Sequence, residues 1–260
     1  MAYNRPKYRR IGLVDELRGL AALCMIFYHG AYDLIYFFGT DASLFVSPWM
    51  WALQKFICIT FILTAGISSR LTQSNFKRAA LTLLCAMVVT GFTYLIMPSQ
   101  IVRFGVLHLL GVSMLLYALF GWLLSKMPWG IGALLSLILL AAATPVTRGY
   151  FGFGSVQFPL SAALRENPYL FPLGLIPPGF FSSDYFPLLP WFFLFLLGTY
   201  LAVPIKRGNL PHFVYRTKLP RLARIGQNTL WIYMLHQPVL YALIWLFFRA
   251  AEFAKLMLAR

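Results

Sequence analysis

Residues 13–38 read LVDELRGLAALCMIFYHGAYDLIYFF, and this stretch decides the fold. It is long and apolar enough to cross a bilayer, whose ~30 Å of hydrocarbon needs about 20 residues of α-helix. Runs of similar character recur at about 49–68, 79–97, 104–125, 129–146, 188–204 and 229–248. An all-α polytopic transmembrane helical bundle of about seven spans is therefore predicted. Composition agrees. Hydrophobic residues are 60% of the 260 and charged residues only 11%, against roughly 25% charged in a soluble domain. Too little polar side chain remains to cover a water-facing surface, which excludes soluble enzymes, secreted domains and disordered chains.

The chain divides into a basic tail (1–12), one membrane domain (13–248) and a short C-terminal tail (249–260). No cleavable leader is evident, so the first span reads as a retained signal-anchor. The one long connection, 147–187, is rich in Gly, Pro and aromatics. Its stretch 169–181, YLFPLGLIPPGFF, is too short to span and broken by prolines, so an interfacial or re-entrant cap is expected. Cys24, Cys58 and Cys85 lie in apolar stretches without paired or ligand-type spacing. They read as buried thiols, and no metal site is predicted.

The 22 basic residues against 7 acidic ones give a net charge of +15. In a soluble chain that would suggest nucleic acid; here topology explains it. Arg5, Lys7, Arg9, Arg10, Arg70, Lys77, Arg78, Lys126, Lys206, Arg207, Arg216, Lys218, Arg221 and Arg224 fall on one side of the spans. Arg103, Arg148, Arg165, Arg249, Lys255 and Arg260 fall on the other, a fourteen-to-six asymmetry. By the positive-inside rule the N-terminus is cytoplasmic and the C-terminus outside. No nucleic-acid partner is needed. No N-x-Ser/Thr sequence occurs, which favours a bacterial cytoplasmic (inner) membrane over a glycosylating compartment.

Ionisable groups inside a membrane cost at least ~2.5–3.5 kcal/mol on insertion scales, so each needs a reason. The first span holds Asp15, Glu16, Arg18, His29 and Asp33. Arg18 and His29 are close to three turns apart and point the same way, about 16 Å apart along the axis. Asp33 is one further turn on, within i,i+4 reach of His29. His108 follows the start of the fourth span, Asp184 precedes the sixth, and His236 and Gln237 enter with the seventh. Plain alternatives exist for several: a capped helix start for Asp15, Glu16 and Arg18, an interfacial site for His108, an N-cap for Asp184, interhelix hydrogen bonding for Gln237. By depth, His29, Asp33, His108 and Asp184 belong to the outer half, Arg18 and His236 to the inner half or middle.

Four strings carry a resemblance: RIGLVDELRGLA at 10–21 running on to Met25 and His29, RFGVLHLLG at 103–111, DYFPLLPW at 184–191 continuing to Gly198, and LWIYMLHQP at 230–238. Together they resemble the catalytic domain of heparan-α-glucosaminide N-acetyltransferase and its bacterial relatives. The Arg18-x10-His29 spacing is also similar to a motif of the wider membrane O-acyltransferase group. The resemblance implies transfer of an acyl group, usually acetyl, from a coenzyme A thioester in the cytoplasm to a sugar on the outer side. Lysosomal members place a catalytic histidine in the loop after their first span. Here the corresponding stretch, 37–48, holds none, and His29 stands where those relatives carry another polar residue.

Under that reading His29, oriented or charge-stabilised by Asp33, is the candidate base, or alternatively an acyl carrier. His108 is a second acid–base group or oxyanion donor. Arg18, His236, Arg221 and Arg224 are expected at the acyl-CoA donor; positive-inside topology is the competing account of the two on the cytoplasmic connection. Asp184, Tyr185, Trp191 and Arg103 are expected at the carbohydrate acceptor. The bilayer, acyl-CoA and the carbohydrate are the partners, with assembly of further copies of this chain left open. A proton-coupled transporter or flippase with a His/Asp relay is the alternative. No matching pair of broken helices in two halves supports it.

Overall fold

The computed structural model describes residues 10–43 and 45–258. Among them seven helices are long and apolar enough to cross a membrane. They are α1 (Gly12–Phe38), α2 (Pro48–Leu71), α3 (Asn75–Ile96), α4 (Val106–Leu124), α5 (Trp129–Ala143, prolonged by a 3-10 turn over Thr144–Arg148), α7 (Leu188–Lys206) and α10 (Thr229–Leu258). Shorter elements lie between them: a hairpin of β1 (Tyr150–Phe153) and β2 (Val156–Pro159), α6 (Ala162–Glu166), α8 (His212–Tyr215) and α9 (Pro220–Gln227). The protein is an all-α, multi-pass membrane protein.

Every expected span has its helix, and the ends move where polar residues are helical too. α3 begins at Asn75 because Lys77 and Arg78 form its first turn. α10 runs on through Leu258, so the stretch expected as a tail is helical that far. Its sequence RAAEFAKLML is built of strong helix formers, and Arg249 pairs with Glu252 at i,i+3, 3.2 Å. Thirty residues make a helix of about 45 Å, longer than the ~30 Å of hydrocarbon. Residues 1–9 of the expected basic tail, with Arg5, Lys7 and Arg9, lie outside the described residues, as does Arg260.

The chain packs as two units, one of residues up to Phe61 together with those from Pro211 on, the other Ile62–Leu210. In the first, α1 lies along α9 and α10. Its core is made of small and apolar side chains: Ala21 and Ala22 are fully buried beside Met25, Ile57 and Phe61, with Ile225, Ile232 and Tyr233 against them. The approach of α9 to α1 depends on two glycines. A Cβ on Gly19 would collide with the Leu222 carbonyl, and one on Gly226 with the Asp15 carbonyl. Small residues at such contacts let membrane helices associate where apolar burial gives little drive. Glu16 then fixes the start of α9, accepting from the backbone N–H of Lys218 and from that of Leu219 at 2.8 Å. Asp15 accepts from Gln227 Nε2 at the other end, 2.9 Å. Gly39, at φ 66°, terminates α1 in the left-handed conformation with its N–H on the Ile35 carbonyl.

In the second unit α3 packs on α4 and α5 on α7. Ile62, Leu109, Met114, Tyr117, Leu194 and Phe195 form its core. The α5–α7 connection, expected as an interfacial or re-entrant cap, carries the hairpin in register Tyr150↔Pro159 to Phe153↔Val156. Val146, Leu175 and Ala143 bury together beneath it with Leu160 and Leu170.

Candidate active site

In the first unit the polar residues of α1 and α10 meet along one interface, partly or fully buried. The rings of His29 and His236 lie 4.9 Å apart, centre to centre, inclined at 60°. One turn further along α1, Asp33 Oδ1 accepts from Gln237 Nε2 at 2.7 Å. Asp33 is fully buried and His236 is 9% exposed. The sequence placed Asp33 within hydrogen-bond reach of His29; in the structure its bond is to Gln237, because α10 brings an amide donor across the interface. Gln237 therefore has the interhelix role expected of it. His236, placed by depth with Arg18 in the inner half or middle, lies beside His29. α9 accounts for this: it covers the first turns of α1, so α10 starts opposite the middle of that helix.

His236 has a defined tautomer. Its Nδ1 lies 2.7 Å from the Tyr233 carbonyl oxygen. A carbonyl only accepts, so Nδ1 carries the hydrogen, and in the neutral ring Nε2 holds the lone pair. Nε2 is buried and has no hydrogen-bond partner. It is thus a basic nitrogen inside a membrane protein, beside a second imidazole. Tyr28 packs edge-on against His29 at 5.7 Å on the other side.

Arg18 is half-buried on α1, and Arg221 and Arg224 are exposed, one turn apart on α9. The buried face of α9, Ala223 and Gly226, is turned to α1. The two guanidiniums are therefore free of the packing, and their chemistry suits the phosphates of a nucleotide-bearing thioester.

In the second unit the remaining residues gather where 100–106 zips onto 182–186. Ser183 N donates to the Ile101 carbonyl, Phe186 N to the Phe104 carbonyl, and Arg103 N to Ser182 Oγ. Asp184 Oδ2 accepts from Val106 N, 3.0 Å, at the first residue of α4. The cap expected of Asp184 exists, then, but on a helix distant in sequence. Gly105 makes room for it, since a Cβ there would strike the carboxylate. Phe104 sits at φ 57°, a left-handed conformation that a bulky residue adopts only when its surroundings hold it. Tyr185 donates its phenolic hydrogen to the Phe171 carbonyl, 2.6 Å; burial pushes the phenol above its ordinary range, so this donor stays protonated. Trp191 packs on Phe186 at 5.5 Å. Arg103 is exposed. His108 stacks on Phe104 at 5.7 Å, with Nε2 3.4 Å from Thr90 Oγ1 and Nδ1 buried without a partner.

Sequence reasoning missed two partners, Glu16 for the start of α9 and Thr90 for His108. Neither is signalled locally, because each bond joins segments far apart in the chain. Among the described residues no three His, Cys, Asp or Glu side chains come together as a metal site. A family model described as "Heparan-alpha-glucosaminide N-acetyltransferase, catalytic" matches residues 10–238, which include every candidate site residue. No curated protein and no solved structure matches the chain.

Proposed function

The chain belongs to the heparan-alpha-glucosaminide N-acetyltransferase catalytic family, and from that premise we propose that it transfers an acetyl or other acyl group from cytoplasmic acyl-CoA to a sugar or envelope glycan outside a bacterial inner membrane. Membership itself makes it a membrane acetyltransferase. The observation that carries the finer reading is the His29–His236 pair, two imidazoles 4.9 Å apart within the membrane-spanning part of the chain.

Acyl transfer needs a group to take the acceptor proton as the new bond to the acyl carbon forms. His29 takes that proton; the carbon–sulfur bond breaks and the proton passes to the departing thiolate, giving free coenzyme A. Arg18, Arg221 and Arg224 hold the donor phosphates. On the second unit, His108 is a further acid–base group, and Arg103, Asp184, Tyr185 and Trp191 form the acceptor-recognition segment.

Purified protein given radiolabelled acetyl-CoA and a panel of amino and neutral sugars is expected to release coenzyme A and label an acceptor. Inert donor together with proton-linked uptake into vesicles would overturn this in favour of a transporter. The donor side follows from orientation. In a background lacking Cys24, Cys58 and Cys85, Ser43→Cys is expected to react with an impermeant maleimide on intact cells, and Ser74→Cys only after lysis. Both serines are exposed, Ser43 in the connection before α2 and Ser74 in the connection after it. The reverse pattern would place the basic face outside.

A further inference from the structure

The hydrogen-bond inventory of the α1–α10 layer leaves one proton unaccounted for. Gln237 donates through Nε2 to Asp33 Oδ1. The other two atoms of these same planar groups, Asp33 Oδ2 and Gln237 Oε1, are both buried and both without a partner. An ionised carboxylate and an amide oxygen are acceptors only, so neither can satisfy the other. Asp33 is 0% exposed and makes no ion pair among the described residues. Gln237 of α10 is bonded to it, and His29 stands one turn before it on α1, beside His236 of α10. A buried carboxylate without a cation is costly enough that the group takes up a proton instead. One hydrogen on Oδ2 would satisfy both orphan atoms at once.

We propose that Asp33 rests as the neutral carboxylic acid, closed on Gln237 as a two-bond acid–amide pair, and acts as a positioning residue rather than as the charged partner of the base. Gln237 adjoins His236 in sequence, so pinning it fixes the rotation of α10 that sets His236 against His29. The base then starts as neutral imidazole and becomes cationic only on taking the acceptor proton. The functional half of this rests on the proposed acyl transfer; the protonation state does not.

Infrared spectra of the purified protein in lipid at neutral pH test the state directly. The chain has only seven carboxyl side chains. Of the other six, Asp15, Glu16 and Asp184 accept from donors, Glu252 is ion-paired, Glu166 is exposed, and Asp41 is held below the usual carboxylate range by Ser43. One carbonyl band of a protonated carboxyl is expected, lost in Asp33→Asn and displaced in Gln237→Leu. No such band in the wild type would overturn the proposal, whether water or imidazolium then satisfies the carboxylate.

The positioning role has its own readout. Asparagine can form the same two bonds to Gln237, whereas leucine forms none. Asp33→Asn is expected to keep the thermal midpoint and to exceed Asp33→Leu in kcat by at least about tenfold, because leucine loses both bonds and one alone accounts for up to about that factor. Its pH profile is expected to retain the acid limb of the wild type. Equal loss in both variants, or an acid limb moved by Asp33→Asn, would overturn it. If the wild type transfers nothing, the acyltransfer reading fails while the infrared band still decides the state of Asp33.

Discussion

Replacing His29 by alanine is expected to abolish acyl transfer and leave acyl-CoA binding measurable. General-base catalysis contributes about 10²–10⁴-fold, and removing the ring takes away that term together with the partner against which His236 is packed. Arg18 separates donor binding from chemistry. It lies eleven residues before His29 on the same face of α1, about 16 Å along the axis, which lets a pantetheine arm reach from a phosphate site towards the base. Arg18→Ala is therefore expected to weaken affinity for acyl-CoA, and more so than for a short thioester lacking the nucleotide. The pair of variants is read by the split between kcat and KM: His29→Ala lowers kcat, Arg18→Ala raises KM. Variants that stay monodisperse make the comparison meaningful. Near-wild-type turnover by His29→Ala would remove it as the base and transfer the role to His236, whose Nε2 lone pair is unengaged.

The second large effect is expected at Asp184, first on stability. Its carboxylate caps α4 through Val106 N, in a joint where Gly105 has no room for a Cβ and Phe104 is held in a left-handed conformation. Asp184→Ala leaves the first N–H of α4 unpaired, while the backbone bonds of Ser183 and Phe186 still hold the 182–186 segment. A loss of about 1–3 kcal/mol is expected, combining the usual value of a cap with that of a hydrogen bond to a charged group. Asp184→Asn keeps an acceptor oxygen for Val106 and is expected to retain most of that stability. Thermal unfolding of both variants, beside acceptor KM, separates the roles. If Asp184→Asn unfolds like the wild type yet loses acceptor use, the carboxylate contacts the sugar. If both variants unfold early with normal turnover, its work is structural.

The architecture was legible from the sequence because a bilayer imposes a length on every span, and hydropathy reads that length directly. The helix ends were less legible. Hydropathy stops at the first charge, whereas a helix continues through Lys77, Arg78 or Arg249 as long as its residues favour it. The interhelix role of Gln237 could be read from its residue type alone, since an amide in hydrocarbon must find a partner. Which partner could not. From sequence, Asp33 had an attractive mate one turn away in His29, and nothing local weighs against it.

The amino-acid sequence thus determined the spans, the fourteen-to-six asymmetry of their basic residues, the family, and the set of intramembrane residues needing an explanation. Each follows from composition, spacing or motif along one segment. Tertiary structure alone decided the pairings: Asp33 with Gln237, His236 beside His29, Glu16 with the start of α9, Asp184 with the start of α4. Each joins residues at least 78 positions apart. Such bonds depend on how far helices slide and rotate against one another, and here glycines 19 and 226 set that for α1 and α9 by letting backbones touch. Periodicity within one helix says which face a residue occupies; only packing says what that face meets.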